Sequence, residues 1–497
     1  MRYLALCTDY DGTLATDGCV FPETVAALER LLASGRRLVL VTGRELDDLK
    51  KVCPRLDLFE YVVAENGALL YHPASGQETP LAPRPPAAFV ALLRQRGVGP
   101  ISVGRVIVAT WEPHETRVLA AIRDLGLELQ VIFNKGAVMI LPAGVNKATG
   151  LAQALERMEL SPRNAVGIGD AENDHALLAS CECSAAVANA LPTLKGAADI
   201  VTKGDHGAGV VELIDELLRD DLASRDPQLT RHHVLLGTDQ SGREVHVSPH
   251  GETVLVVGPT HSGKSELATA LLERLALKGY TFGVIDVEGD YGAIAKAVAL
   301  GSPSRPPTAS EILQLLRSAD KSGVVNLSGL PTAERTSFVR TLVPQLAQLR
   351  ARLGHPHWIV VDETQHLVPA NGAAAEEPLL IGDDQSVLHI AERPALVARQ
   401  VLRATSLFIA LGTAAPAALD EFCQVSGRPR PSETQVTVDE GAAGPSVLRA
   451  LAWRPADSNE RPFRLNTARP QLSPSAGAGG VVKVPAQPAN PSTRGLH

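Results

Sequence analysis

The stretch YLALCTDYDGT, residues 3–13, joins a short apolar run to two aspartates and a glycine. Residues 3–8 are typical of a buried β-strand, and Asp9 and Asp11 follow it, where Gly12 permits a sharp turn. Open α/β sheets bind their ligands at the carboxyl ends of their strands. The stretch therefore predicts two carboxylates at the ligand-binding edge of a sheet.

Three more apolar runs in the first 220 residues are typical of buried strands, and amphipathic helical patterns separate them. The runs are residues 37–41, 61–64 and 165–169. Alternating strands and helices of this kind indicate a parallel sheet with helices on its faces. Residues 1–220 are therefore predicted to form one α/β domain.

Polar side chains follow two of these strands. Residues 42–44, Thr-Gly-Arg, offer a hydroxyl and backbone donors to a phosphoryl oxygen. Asp170, Asn173 and Asp174 offer the hard oxygen ligands that Mg²⁺ prefers. Lys147, at the start of a predicted helix, can hold a nucleophile and a phosphoryl group by charge. This combination of groups favours phosphoryl-transfer chemistry.

Between about residues 82 and 146 the pattern changes, beginning with the proline-rich segment APRPP. Strands are predicted at residues 105–110, 129–133 and 138–141 and a helix at residues 115–125, which indicates a small α+β insertion over the sheet. Its turn at residues 134–137, Asn-Lys-Gly-Ala, has two interpretations that the sequence leaves open. It either faces a sugar or phosphate and sets specificity, or it is an exposed hairpin.

Four motifs in the first 220 residues resemble those of the haloacid dehalogenase superfamily of phosphatases. In chain order they are DYDGT, VTGR, NK and GDAEND. The segment ENGA at residues 65–68, with the insertion placed after it, resembles the Cof-type subgroup, which has sucrose-phosphatase-like members. The resemblance implies a Rossmann-like α/β fold whose insertion is a cap over the active site.

The resemblance also implies catalytic roles for four residues. Asp9 would attack phosphorus and form an aspartyl-phosphate. Asp11 would protonate the leaving oxygen and then activate water as a base. Thr42 and Lys147 would orient and neutralise the phosphoryl group. The implied substrate is a small phosphorylated metabolite, with a sugar phosphate favoured.

A magnesium ion is implied as the cofactor of this chemistry. Its ligands would be Asp9, the backbone carbonyl of Asp11 and Asp170, with support from Asn173 and Asp174. The metal would neutralise phosphate charge that otherwise repels the attacking carboxylate.

A second constellation begins at residues 258–265, which read GPTHSGKS. An apolar run precedes this segment and a helical pattern follows it, so the full Walker A motif stands in its strand-loop-helix setting. Gly258 and Gly263 let backbone N–H groups wrap the phosphates. Lys264 would reach the β- and γ-phosphates, and Ser265 would bind Mg²⁺.

Asp362 and Glu363 follow another apolar run, residues 358–361, as the two acids of a Walker B motif do. A glutamate at this point favours hydrolysis over transfer to a substrate hydroxyl. The segments IDVEGDY and VVDETQHLVP resemble ATPases of the HerA/FtsK type over about residues 233–425. The resemblance implies a P-loop α/β domain that binds and hydrolyses ATP.

This second resemblance has two further implications. Such ATPases assemble as rings, so a homo-oligomer is expected, although no arginine is assigned as its finger. A polar residue after the strand beside the Walker B strand senses the γ-phosphate, and Thr413, after the predicted strand 407–411, is the candidate.

Composition limits the partners and the location. The net charge of −8 gives no bulk attraction to DNA, which would need a local basic patch. Nowhere do about 18 apolar residues follow one another, so no membrane span is expected. The six cysteines are sparse and show no zinc-site spacing, which fits a reducing cytoplasm.

The predicted organisation has two domains joined by a linker. Polar residues 221–232 are the linker, and residues 233–469 form the P-loop domain. Residues 370–385 are expected to be a surface loop. Residues 470–497, rich in Ser, Ala, Gly and Pro, are expected to be disordered.

The leading hypothesis is a bifunctional hydrolase, in which a Mg²⁺-dependent phosphatase is fused to an ATPase. One alternative is an end-processing enzyme like polynucleotide kinase-phosphatase. Three observations speak against it: Glu363, the sizeable cap and the lack of a basic groove. Another is an ATP-driven DNA-associated motor or regulator that carries a phosphatase domain.

Overall fold

The computed structural model describes residues 1–291, 294, 296–371, 386–431, 447–455 and 461–468. Three β-sheets of eight, four and eleven strands organise this part of the chain. The predicted tail and most of the predicted surface loop at 370–385 lie outside the described residues.

Twelve strands form the first two sheets. They are β1 (Ala5–Thr8), β2 (Arg37–Val41), β3 (Tyr61–Ala64), β4 (Leu69–His72), β5 (Gln77–Pro80), β6 (Ser102–Val103), β7 (Val108–Trp111), β8 (Leu129–Asn134), β9 (Ala137–Pro142), β10 (Ala165–Gly169), β11 (Cys183–Ala186) and β12 (Ile200–Val201). The eight-stranded sheet has the order β12-β11-β10-β1-β2-β3-β4-β5. Its strands from β12 to β3 are parallel, and β4 and β5 extend it as an antiparallel hairpin.

Eight helices accompany these strands. They are α1 (Pro22–Ala33), α2 (Leu46–Val52), α3 (Ala87–Gln95), α4 (Glu115–Asp124), α5 (Lys147–Arg157), α6 (His175–Ser180), α7 (Pro192–Ala197) and α8 (His206–Asp220). Apolar faces of α1 and α8 pack on one side of the eight-stranded sheet, and α5 packs on the other. Burial on both sides explains why β1, β2, β3 and β10 are almost entirely apolar. The α/β prediction for this region is confirmed.

The insertion is a separate four-stranded antiparallel sheet with the order β6-β7-β9-β8, backed by α3 and α4. The sequence predicted a strand over residues 105–110, but β7 begins only at Val108. The reason is that the backbone N–H groups of Arg105, Val106 and Ile107 donate to the Glu65 carboxylate rather than to a strand.

Eleven strands form the third sheet. They are β13 (Val234–Thr238), β14 (Glu244–Val247), β15 (Thr253–Val257), β16 (Phe282–Asp286), β17 (Ala297–Leu300), β18 (Ser322–Asn326), β19 (Trp358–Val361), β20 (Ser386–Ala391), β21 (Leu407–Leu411), β22 (Val447–Trp453) and β23 (Phe463–Ala468). The order is β14-β13-β23-β22-β21-β15-β20-β19-β16-β18-β17. The run from β21 to β17 is parallel, whereas the pairs from β14 to β21 are antiparallel.

Six helices in the described part of residues 233–468 accompany the third sheet. They are α9 (Lys264–Leu277), α10 (Ala309–Leu316), α11 (Thr332–Leu353), α12 (Thr364–Leu367), α13 (Arg399–Ala404) and α14 (Ala415–Ser426). One apolar cluster packs α9 against one face, and another packs α10, α11, α13 and α14 against the other. None of the helices in the described residues combines the length and the apolar character that crossing a bilayer requires.

The placement of the sensor strand differs from the prediction. The strand beside β19 was taken to be 407–411, but that strand, β21, pairs with β15 and β22. The neighbours of β19 are β16 and β20. Strand β20 was missed because Ser386 and His389 interrupt its apolar pattern. Thr413 therefore follows a strand that does not adjoin β19, and its assignment as sensor is wrong on that ground.

A buried polar contact joins the two large sheets. Glu182, immediately before β11, has a side chain only 2 % exposed. Its carboxylate accepts a hydrogen bond of 2.7 Å from the Tyr280 hydroxyl and lies 3.0 Å from His250 Nε2. Arg163 Nη1 lies 3.3 Å from the same carboxylate. Charged groups of the first region thus meet polar groups of the second in their common interior.

Candidate functional site

Three aspartates converge at the carboxyl edge of the first sheet. Asp9 follows β1, and Asp170 follows β10, which pairs with β1 in parallel. Asp174 lies in a short 3₁₀ turn, and its carboxylate accepts the backbone N–H groups of Asp170 and Ala171, each at 3.0 Å. One oxygen from each aspartate lies within 4.8 Å of the others. The structure thus brings together three of the predicted site residues.

Lys147 is the counter-charge of this cluster. It is the first residue of α5, whose start is fixed by reciprocal hydrogen bonds between Asn146 and Thr149. Its ammonium, 1 % exposed, donates to Asp9 Oδ1 and Asp174 Oδ1, each at 2.6 Å. The capped helix therefore delivers a buried cation to the predicted nucleophile.

The charges of the cluster influence one another. Burial, opposed by Lys147, raises the pKa of Asp9 to about 7, and Asp174 adds to the increase. Burial opposes the charge on Lys147, but Asp174 and Asp9 outweigh it and raise the pKa of the lysine. Burial also raises the pKa of Asp170. Binding of a further cation would therefore stabilise the ionised form of these carboxylates.

The donors at this edge suit a hard cation. Mg²⁺ takes carboxylate and carbonyl oxygens, and Asp9 and Asp170 present carboxylates beside the backbone carbonyl of Asp11. Buried acids with raised pKa values are the groups that a divalent cation would ionise and hold. The residues present therefore fit the magnesium ion that the sequence predicted.

Asp11 is held by a residue that the sequence analysis left without a side-chain role. Arg44 donates from Nε to Asp11 Oδ2 at 2.6 Å and from Nη2 to Asp11 Oδ1 at 2.7 Å. Thr42, buried at the end of β2, accepts the backbone N–H of Arg44 at 3.1 Å. The motif VTGR contained the signal, because its arginine follows the same strand as the threonine.

Two other residues near the cluster have contacts of note. The Thr13 hydroxyl lies 3.3 Å from Asp9 Oδ2 and 3.3 Å from Asp170 Oδ1, a bridge that the sequence analysis missed. Asn173 lies outside the group of three carboxylates. Its side-chain amide donates to Asn66 Oδ1 at 2.9 Å. Within the described residues no hydrogen bond joins Asn173 to the three aspartates, and its metal-supporting role stays a prediction.

Glu65 attaches the cap to the sheet. It is fully buried, has a positive φ of 52° and accepts the backbone N–H groups of three cap residues at 2.7 to 2.9 Å. A second cap contact reaches the aspartates directly. Lys135, in the turn between β8 and β9, donates to Asp170 Oδ2 at 2.7 Å and to the Asp11 carbonyl at 3.1 Å.

The second predicted site lies at the carboxyl edge of the third sheet. Residues 258–263 join β15 to α9, and Gly263 has a φ of 97°, which a side chain would strain. The Lys264 ammonium donates to the carbonyls of Gly258 and Pro259 at 2.9 and 3.0 Å. Ser265 lies one residue further into α9. An open cavity of about 350 Å³ adjoins this loop.

Acidic side chains also line that cavity. Glu288, Asp290 and Glu363 share its wall with Lys264 and Ser265. Asp362, at the end of β19, is buried, which together with Glu363 raises its pKa to about 8. Gln365 donates a hydrogen bond from its amide to Glu363. Of the predicted residues, Gly263, Lys264, Ser265 and Glu363 thus line one cavity.

Comparison with known proteins gives matches to the N-terminal part. The family model described as haloacid dehalogenase-like hydrolase matches residues 6–100 and 105–214. Phosphoglycolate phosphatase 2 of Saccharolobus solfataricus is 30 % identical over 223 residues, which cover 43 % of this chain and 92 % of that protein. Phosphoglycolate phosphatase of Natronomonas pharaonis is 32 % identical over 222 residues, which cover 42 % of this chain and 96 % of that protein.

Among solved structures, a haloacid dehalogenase-like hydrolase from Bacteroides thetaiotaomicron is 18 % identical with a TM-score of 0.39, covering 44 % of this chain and all of that one. The family model and the two curated relatives agree in their assignment. The chain therefore belongs to the haloacid dehalogenase-like hydrolases, and its N-terminal part is a phosphatase domain of that superfamily.

Proposed function

We propose that the N-terminal part hydrolyses phosphate monoesters through an aspartyl-phosphate on Asp9. The observation that supports this most is the convergence of Asp9, Asp170 and Asp174 around the buried ammonium of Lys147. An anionic nucleophile can approach an anionic phosphate only where positive charge lies close to both. Lys147 supplies such charge at 2.6 Å from Asp9.

In the first half-reaction an Asp9 oxygen bonds to phosphorus as the ester P–O bond breaks, and Asp11 gives its proton to the leaving oxygen. In the second, Asp11 takes a proton from water, whose oxygen attacks phosphorus and displaces Asp9 to release phosphate. Arg44 orients Asp11 for both steps. Mg²⁺ held by Asp9, the Asp11 carbonyl and Asp170 would supply charge neutralisation at the phosphoryl oxygens.

The proposed substrate is a small phosphorylated carboxylic acid of the phosphoglycolate kind. Support comes from the names of the two curated relatives, both phosphoglycolate phosphatases, which the match covers almost completely. The sequence alone favoured a sugar phosphate, and this class is the second candidate. The cap sheet limits the size of either, since Glu65 fixes the cap to the edge of the sheet.

The test is release of inorganic phosphate from 2-phosphoglycolate and from a panel of sugar phosphates with Mg²⁺ present. Asp9→Asn removes the attacking charge and leaves the volume, so turnover is expected to fall by at least about 10⁴-fold. The exposed-lysine variant Lys203→Met should match the wild type. Phosphate release by Asp9→Asn at the wild-type rate would refute the mechanism.

For the second region we propose binding and hydrolysis of a nucleoside triphosphate, with ATP as the first candidate. Support comes from one cavity that Gly263, Lys264, Ser265 and Glu363 line, with the Lys264 ammonium bonded to the Gly258 carbonyl. Strand β20 separates β15 from β19, so the loop and the acids leave alternate parallel strands at the same edge. Asp362 would hold Mg²⁺ with Ser265, and Glu363 would polarise the attacking water.

The experiment for this region is steady-state ATP hydrolysis by the full chain, with and without double-stranded DNA. Glu363→Gln keeps the size of the side chain and removes its basicity, so hydrolysis should fall about 100-fold while ATP binding persists. Transfer of phosphate to a DNA 5′-hydroxyl would instead favour the end-processing alternative. Stimulation by DNA would favour the motor, and light scattering with ATP would test the proposed homo-oligomer.

A further inference from the structure

The turn that carries Lys135 is built to hold its shape. It joins β8 to β9 through two residues, Lys135 with φ 49° and Gly136 with φ 84°. Two successive positive φ values are characteristic of the tight hairpin turns that continue the twist of their strands. The side chain of Lys135 therefore leaves the cap from a defined point rather than from a loose loop.

The ammonium of Lys135 contacts oxygens that the proposed function gives to the metal. It donates to Asp170 Oδ2 at 2.7 Å and to the backbone carbonyl of Asp11 at 3.1 Å. Asp170 is 4 % exposed, whereas the lysine side chain is 50 % exposed. A half-exposed cap cation has thus inserted its charged end between two oxygen donors of the core.

Charge balance gives the reason for this contact. Asp9, Asp170 and Asp174 contribute three negative charges when ionised, and the buried Lys147 offsets one of them. Arg44 is engaged by Asp11 and does not contribute. Two negative charges remain, of which Lys135 offsets one and a magnesium ion would offset both. Both cations would use Asp170 and the Asp11 carbonyl, and they repel one another at this range.

We propose that Lys135 is a tethered cation which occupies the metal edge of the site in the metal-free protein and is displaced when Mg²⁺ binds. The inference rests on the metal site of the proposed function. Since Lys135 belongs to the cap and its two partners belong to the core, metal binding also breaks a contact that holds the cap closed. Magnesium thereby loosens the β8–β9 turn and admits the substrate.

The first measurement is the Mg²⁺ dissociation constant of the full chain by isothermal titration calorimetry, without nucleotide or phosphate ester. Lys135→Met keeps the length of the side chain and removes its charge, so Mg²⁺ should bind about tenfold more tightly. Lys203→Met, which removes an exposed lysine elsewhere, should leave the constant unchanged. Equal or weaker Mg²⁺ binding by Lys135→Met would overturn the proposal.

Asp170→Asn separates this inference from the function on which it rests. If that variant loses the Mg²⁺ heat while Lys135→Met binds like the wild type, the metal site stands and the competing lysine does not. If Asp170→Asn binds Mg²⁺ as the wild type does, both the metal site and the competition are refuted.

A second measurement follows the turn itself. Trp111 pairs with Ala137, the first residue of β9 after the turn, and is 54 % exposed. Trp358 and Trp453, by contrast, are buried in the third sheet. Mg²⁺ should increase acrylamide quenching of Trp111 in the wild type. Lys135→Met should show the higher quenching before any metal is added, and Trp111→Phe should abolish the change. Quenching that is the same with and without Mg²⁺ in the wild type would contradict displacement of the turn.

Discussion

The two proposed sites treat their buried charges differently. At the edge of the first sheet, Asp9 and Asp174 share Lys147, and Asp11 is paired with Arg44. At the edge of the third sheet, Lys264 donates to carbonyls of its own loop. Burial raises the pKa of an acid at both edges, that of Asp9 to about 7 and that of Asp362 to about 8.

This difference indicates how each site becomes organised. The first site holds its acids in place with cations of the chain, so its geometry persists without a ligand. In the second, Lys264 must leave the loop carbonyls to meet a phosphate. We therefore expect the first site to depend on internal pairs and the second to depend on its ligand.

Removal of Lys147 is the strongest way to break the first arrangement. Lys147→Met leaves two buried carboxylates without their cation, so phosphate release should fall about 10³-fold. The free energy of unfolding should fall by about 3 kcal/mol because a buried pair is broken on one side. Urea unfolding and phosphate assays measure the two effects. An active and fully stable variant would show that Lys147 is dispensable.

Removal of Lys264 tests the second arrangement. Lys264→Ala should weaken ATP binding about 100-fold, since the ammonium would contact the β- and γ-phosphates. Its stability without ligand should change little, because the hydrogen bonds of this lysine to described residues go to loop carbonyls. Fluorescent-nucleotide titration and thermal unfolding measure these quantities. Unaltered nucleotide affinity would place the triphosphate elsewhere, and 2-phosphoglycolate turnover serves as the internal control.

Substitution of Arg44 tests whether an internal ion pair orients Asp11 in the first site. Arg44→Gln keeps hydrogen-bonding ability but loses the two-point grip on Asp11, so kcat should fall about tenfold with KM little changed. Restoration of most of the activity by Arg44→Lys would indicate that charge matters more than geometry. A rise in KM alone would mean that Arg44 binds substrate instead of orienting Asp11.

A buried histidine of the third sheet, His389, should make the free energy of unfolding depend on pH. Burial lowers the pKa of His389 in β20 from 6.5 to about 4. The unfolded chain therefore binds a proton at this residue between these values when the folded protein does not, and stability falls as pH falls below 6.5. His389→Leu should reduce that slope by about 1 kcal/mol per pH unit. Urea unfolding at pH 7.0, 6.0 and 5.0 measures it, and equal slopes would contradict the assignment.

Much of the fold was predictable because buried parallel strands are continuous apolar runs. Strands β2, β3 and β10 have the bounds that the sequence indicated, and β1 begins two residues later than predicted. Strand β20 was missed, since Ser386 and His389 disrupt such a run. The hairpin of β4 and β5 was also missed, because its outer strand, Gln77–Pro80, is polar and lies at the sheet edge.

The site was predictable where its residues directly follow strands. The prediction of Asp9 and Asp170 as site residues needed only the rule that ligands bind at the carboxyl ends of strands. Arg44 and Glu65 were missed as side chains because their partners lie 33 and about 40 residues away in the chain. Periodicity carries no information about such pairs. Lys135 was noticed in the sequence, but its contact with Asp170 depends on how the cap folds over the sheet.

The Glu182 contact has a consequence for how this protein can be divided. A chain cut near residue 220 would leave the Glu182 carboxylate without Tyr280 and His250, in a surface that was interior before the cut. The isolated phosphatase region would then need compensating substitutions in that newly exposed surface to remain soluble and monomeric. Removal of the first region instead would leave Tyr280 and His250 exposed without the Glu182 carboxylate, so each region shields polar groups of the other.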